Sequence, residues 1–225
     1  MNSTKSYINT SVGKKVIMAI TGLLLYGFVI MHMLGNLQIF AGPEKLNAYG
    51  HFLQSLGGLL WVARFGLLAA VGAHIFVAIK LTLENQAARP IPYYSQHTNV
   101  ASYASRTMKY SGIIIFAFIV YHLLHFTLGV TDPTAYALKD GSGRHDIYGM
   151  VVAGFSNPIV AGSYIFAMGL LCLHLSHGFF SLFQSLGINQ PEYDAKLKLA
   201  ANIFALGIFL GNSSMPIAVL LKIVA

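Results

Sequence analysis

Two stretches of the chain carry one pattern: Thr21-Gly22 followed by His32, and Ser111-Gly112 followed by His122. In each, a small hydroxyl residue and a glycine precede a histidine ten residues past the glycine, inside a long apolar run. A second apolar run follows each copy and also holds a deep histidine, His74 in one case and His174 in the other. The chain therefore reads as a tandem repeat of paired apolar segments. An imidazole in hydrocarbon is costly unless something binds it, so these four positions are functional candidates from the outset. The glycine's role is not visible at this level. Ten residues turn a helix by roughly 280° beyond whole turns, so glycine and histidine share no face.

Five apolar runs are present, over about 16–40, 61–84, 110–130, 157–184 and 199–221. Each is long enough to cross a hydrocarbon core of about 30 Å as a helix. Only 9% of residues are charged and 56% are hydrophobic, where a soluble domain carries about a quarter charged. The predicted fold is all-α: one integral membrane five-helix bundle over residues 1–225. The first run is long and polar-flanked and lacks a small-residue cleavage site after it, so it is expected to be a span and not a leader. Gly42-Pro43, Arg89-Pro90-Ile91-Pro92, Asp132-Pro133 and Gln190-Pro191-Glu192 punctuate the connectors. Ser105-Arg106-Thr107 is expected to cap the third helix.

The net charge of +7 does not imply nucleic acid, because the basic residues flank apolar runs singly or in pairs. The one cysteine, Cys172, excludes an internal disulfide and an iron–sulfur cluster of this chain's own. There is no C-x-x-C-H for covalent haem and no glycine-rich dinucleotide fingerprint. Flavin or iron–sulfur chemistry must come from another chain.

With the N-terminus cytoplasmic, the inner segments carry Lys5, Lys14, Lys15, Lys80, Arg89, Arg106, Lys109, Lys196 and Lys198, and the outer ones Lys45, Arg64, Lys139, Arg144 and Lys222. Nine against five favours this orientation. Counted from the inner boundary, His32 and His122 then lie roughly 25 and 20 Å up, and His74 and His174 roughly 9 and 15 Å up. The histidines divide into an outer pair, His32 with His122, and an inner pair, His74 with His174. Two imidazoles from different helices at one depth are what a six-coordinate b-type haem needs, whereas zinc wants three or four converging ligands. His125 and His177 lie one turn from His122 and His174 on nearly the same face. The ten-residue repeat selects His122 over His125, but spacing leaves His174 and His177 equal. His51, His97 and His145 fall in connectors and read as solvated. Met18, Met31, Met33 and Met168 read as core.

Gly13-Lys-Lys15, Thr21-Gly22, the run His32-Met-Leu-Gly-Asn-Leu37, Trp61-Val-Ala-Arg64, Ala88-Arg-Pro90, Ser105-Arg-Thr-Met108 and His174-Leu-Ser-His-Gly178 resemble the cytochrome b membrane subunit of succinate:quinone oxidoreductases. The likeness is to the single-chain, five-helix, dihaem b558 type and runs from about residue 10 to 220. It implies a subunit with no succinate chemistry of its own in the bacterial cytoplasmic membrane. That subunit would anchor flavoprotein and iron–sulfur partners of a succinate dehydrogenase or fumarate reductase, with dimers of complexes left open. Two haem b groups are implied, one on His74 and His174 and one on His32 and His122. The family's motif favours His174 over His177.

The resemblance also implies a site for menaquinone or ubiquinone near the outer haem, where Asn36, Gln38, Asn47, His51, Gln54 and Ser55 cluster. Some members carry an acidic residue around this segment, and here Gln54 stands at the comparable place. For the inner haem's propionates, Ser11, Lys15, Arg106 and Lys109, at the inner boundary, are the expected cations and hydroxyl. The competing expectations are a dihaem subunit of a nitrate reductase or formate dehydrogenase, and a haem-free transporter with a histidine proton relay.

Overall fold

Several of the apolar runs are bounded by residues whose side chains satisfy a helix end. The computed structural model describes residues 9–88 and 103–225. Lys5, the connector 89–92 and His97 therefore lie outside the described residues. Helix α1 (Ser11–Asn36) starts at Thr10, whose hydroxyl accepts from the Gly13 amide, and tightens into a 3-10 turn over Leu37–Ala41. Gly42, at φ 95°, then turns the chain into the short α2 (Pro43–Ser55), a backbone conformation that favours glycine. The remaining helices are α3 (Gly58–Ala87), α4 (Tyr103–His122) with a π turn over Leu123–Thr127, α5 (Pro133–Tyr136), α6 (Ile147–Phe155), α7 (Pro158–Ser185) and α8 (Asp194–Leu220). Asp132, Asp146 and Asn157 cap α5, α6 and α7 by accepting backbone N–H bonds in the first turn.

Five of these helices, α1, α3, α4, α7 and α8 with their adjoining turns, are long and apolar enough to cross a membrane. Among the described residues there is no strand, only one isolated bridge between Lys139 and His145. The helices overrun the apolar runs. α4 begins at Tyr103, so Ser105–Thr107 lies inside its first turn and not before it, and the Thr107 hydroxyl donates to the Tyr103 carbonyl at 2.9 Å. α8 begins well before residue 199 because Lys196 and Lys198 lay their stems along it, with their ammonium groups over the Tyr193 and Phe180 rings. Large apolar side chains such as Leu23, Phe65, Phe76, Ile113, Phe166 and Ile203 point outward, as they must when the solvent is lipid.

The packing order sets the geometry of the interior. α1 lies against α3, α7 and α8; α4 lies against α7; α7 and α8 form the most extensive pair. Small residues at that seam, Ala161, Ala167, Ala201 and Ala205, are buried and let the backbones approach closely. By contrast α3 does not pack closely on α7, nor α1 on α4. Where α1 meets α3, Lys14 is buried and donates to both carboxylate oxygens of Glu84 at 2.5 and 2.6 Å. The sequence reading passed over this pair, although Glu84 is the lone acidic residue between Lys45 and Val130.

At the end of the bundle away from Ser11, α2 and α6 pack together. Ile39, Leu46, Phe155, Tyr164, Met215 and Val219 form a common core there. Asn47, 2% exposed, ties the layer together. Its amide donates to Asp146 Oδ1 and its carbonyl accepts from the Tyr148 N–H, both at 2.9 Å. Arg144 clamps Asp140 and Glu44 nearby, and its hydrogen bond and charge hold the Glu44 carboxyl below the usual range.

Replacing Asn47 with alanine should strand the Tyr148 amide and cost about 1–3 kcal/mol. The expected observation is a melting temperature several degrees lower in detergent, while Asn36→Ala, on an exposed bond to its own helix, barely moves it.

Candidate functional site

The helices that stand apart are those that carry the histidines. His74 on α3 faces His174 on α7 with ring centroids 6.5 Å apart. His32 on α1 faces His122 at the end of α4 with centroids 5.7 Å apart and planes nearly perpendicular. The first pair lies toward the Ser11 end of the bundle and the second toward the capped end. Among the described residues, His125 and His177 face no second histidine ring across the bundle.

Each ring of the first pair has a hydroxyl at Nδ1. Thr21 Oγ1 lies 3.0 Å from His74 Nδ1, and Ser111 Oγ lies 3.2 Å from His174 Nδ1. The glycines follow suit. A Cβ placed on Gly22 would sit 3.5 Å from His74 Cε1, and one on Gly112 would sit 3.8 Å from His174 Cε1. The hydroxyl–glycine motif therefore addresses the histidine of the following apolar run, not the one ten residues on. That is why no shared helix face links glycine to histidine within one helix. It also distinguishes His174, which has the Ser111 contact, from His177.

The second pair is supported differently. The Tyr164 hydroxyl lies 3.0 Å from His125 Nδ1 and 3.4 Å from His122 Nδ1. His125, at 5% exposure, is closed in by Tyr164 and by Phe126, whose ring stacks on it at 3.9 Å. The four facing rings keep accessible surface, most of all His32. Among the described residues no three His, Cys, Asp or Glu side chains converge, so each site offers two imidazole donors. A macrocycle that supplies its own equatorial nitrogens suits such a donor set. With about 2 Å between metal and imidazole nitrogen on each side, facing ring centroids would be roughly 6 Å apart, close to both separations. The residues fit a bis-histidine haem at each level.

The polar cluster near the capped end separates into parts. Gln54 lines a cavity of about 570 Å³ with Trp61, Arg64, Thr127, Tyr136, Lys139 and His145. Burial, reinforced by Lys139, holds the His145 imidazole below its ordinary range. Asn36 lines a smaller cavity of about 120 Å³ beside His32 and Tyr49. Asn47 is committed to Asp146 and Tyr148. Ser55 donates to the Phe52 carbonyl. His51 is exposed and Gln38 half-buried, and neither lines those two cavities. At the Ser11 end, Ser11, Lys15, Arg106 and Lys109 are all exposed, with the Lys109 ammonium 4.7 Å above the Tyr110 ring. Sequence reasoning missed Arg64, Lys139 and His145 as one cluster, because the first precedes the other two by more than seventy residues.

A sequence model of one protein family, described as the succinate dehydrogenase/fumarate reductase transmembrane subunit, matches residues 84–210. The match takes in His122 and His174 and just over half of the chain. Neither a curated protein nor a solved structure matches the chain.

Tyr164→Phe should leave the buried His125 Nδ1 without its partner at a cost of about 1–3 kcal/mol. Thermal denaturation should show this loss, and Tyr121→Phe, whose hydroxyl makes no comparable bond, should not.

Proposed function

From the premise that the chain belongs to the succinate dehydrogenase/fumarate reductase transmembrane subunit family, we propose that it is a dihaem b-type member. In this reading it passes electrons between an iron–sulfur partner and membrane quinone. Membership implies association with the flavoprotein and iron–sulfur subunits of that complex. The observation that carries the dihaem reading is the pair of facing imidazole couples, each drawn from two helices that do not pack closely. Bound haem would supply one-electron transfer through the hydrocarbon layer.

The chain's own residues do the rest. His74 and His174 would hold one haem, and His32 and His122 would hold the other. Phe118 stacks on His122 and Phe28 on His32, restricting how each ring turns. Ser11, Lys15, Arg106 and Lys109 would meet propionates at the Ser11 end, which we take as the cytoplasmic face of a bacterial inner membrane. Lys14 neutralises Glu84 there, so no lone carboxylate opposes them from α3.

The quinone would enter near the capped end. Gln54 offers an amide donor to a carbonyl, with Arg64, Lys139 and the Tyr136 hydroxyl on the same cavity wall. Asn36, on the small cavity beside His32, is the second polar group that a head group approaching the outer couple would meet. Gln38, Asn47, His51 and Ser55 would shape the rim from α2 and the turn before it.

Two predictions follow from these assignments. Replacing His32 or His122 should remove the same haem in a redox titration, and replacing His74 or His174 should remove the other. Loss of one haem by both His32→Ala and His74→Ala would refute the pairing. Gln54→Ala should lower quinone turnover about five-fold, the worth of one hydrogen bond of ~1 kcal/mol, and leave both haem spectra in place. Unchanged quinone kinetics would remove Gln54 from the site.

A further inference from the structure

We infer that Thr21 and Ser111 are positioning residues that fix the tautomer of His74 and His174, so that each ring turns its Nε2 lone pair toward the other. The inference rests on the dihaem reading and concerns how one of the two sites is prepared.

A hydroxyl has one proton to give. The Thr21 hydroxyl gives its proton to its own helix, with the Ile17 carbonyl at 2.8 Å and the Met18 carbonyl at 3.2 Å. The Ser111 hydroxyl does the same to the Met108 carbonyl at 3.0 Å. Each oxygen then faces the imidazole as an acceptor only. His74 Nδ1 and His174 Nδ1 must therefore carry the proton and donate it, at 3.0 and 3.2 Å. In a neutral ring this leaves Nε2 unprotonated. Both hydroxyls are buried, so water does not compete for these bonds. Gly22 and Gly112 complete the arrangement. They bring no side chain of their own to the Cε1 edge that separates the two nitrogens.

The other couple lacks this device. His122 Nδ1 has the Tyr164 hydroxyl at 3.4 Å, and that hydroxyl sits closer to His125. No hydroxyl, carbonyl or carboxylate is bonded to the His32 ring among the described residues. The two sites therefore differ in how firmly their ligands are held and how basic they are. An acceptor on the remote nitrogen raises the donor strength of an imidazole and favours the oxidised metal.

Redox titration and low-temperature EPR of the purified holo-complex test this with Thr21→Val and Ser111→Ala. The expected result is that one haem, the one lost in His74→Ala, rises in midpoint potential and changes its low-spin ferric signal, or is lost. The other haem keeps both. Thr21→Ser and Ser111→Thr, which retain the hydroxyl and perturb folding least, should hold the wild-type potential. Unmoved potentials in both hydroxyl-less variants would overturn the inference and leave the dihaem reading intact. So would an equal shift in the hydroxyl-retaining pair. A wild-type complex with no b-type spectrum would overturn the dihaem reading itself, and this inference with it.

Discussion

A neutral imidazole carries one N–H donor and one lone-pair acceptor, and inside hydrocarbon both need partners. The bundle is arranged around that requirement. Thr21 and Ser111 take up one nitrogen of His74 and His174, and the two rings face each other across the gap between α3 and α7. If those two helices packed directly, the rings would collide and no pairing across a cofactor would be available. They are kept apart because α1 stands against both of them, with α8 closing the far side of α1 and α7. The Lys14–Glu84 ion pair fixes α3 to α1 at the same end. Lys14 is buried and Glu84 40% exposed, so loss of the carboxylate would leave the lysine a buried charge without its partner.

The capped end solves a different problem. His32 and His122 lie near the ends of their helices, where chain must turn back and polar backbone groups are exposed. The 3-10 turn after α1, the π turn after α4 and the short helices α2 and α6 fold over this end. Asn47 and Arg144 bind those segments to one another. The outer couple is thus enclosed by connectors, and the inner couple by spanning helices. Polar groups and cavities gather beside this couple because connectors can present amides and cations there, which apolar spans cannot do.

Much of this was legible in the sequence because the hydrocarbon layer leaves few choices. Long apolar runs give five spans, and depth along a helix follows from a constant rise, so counting divides the histidines into two levels; it does not separate His122 from His125, which the repeat does, or His174 from His177, which only the family resemblance did. Helix ends were less visible. The polar turns Tyr103–Lys109 and Asp194–Lys198 extend α4 and α8 beyond the hydropathy signal, because Lys and Arg stems cover apolar surface while their charges reach water. The role of the hydroxyl–glycine motif was hidden for a stronger reason. Its partner lies on the next spanning helix in both repeats, fifty-three residues away past α2 in one and sixty-three residues away past α5 and α6 in the other. Periodicity within a helix reports which residues share a face, not which face meets which neighbour. Once the packing order α3–α1–α7–α4 is known, both contacts are seen to be the same contact made twice.

That repetition bears on how such a chain keeps two sites distinct. A tandem duplication begins with equal halves, and the equivalence survives where a hydroxyl, a glycine and a histidine meet between α1 and α3 and again between α4 and α7. It has been lost at the other couple, where one ring leans on Tyr164 and the other on no hydrogen-bonding side chain. Tyr164 belongs to α7 and has no counterpart of its kind on α3, where Arg64, at the corresponding ten-residue distance before the histidine, faces Trp61 instead. The same substitution of an aromatic hydroxyl by a cation opens the α3 side to the cavity of Gln54, Lys139 and His145 and fills the α7 side with Tyr164, Phe126 and Phe155. At this end the α3 side borders a cavity and the α7 side is packed with aromatic rings.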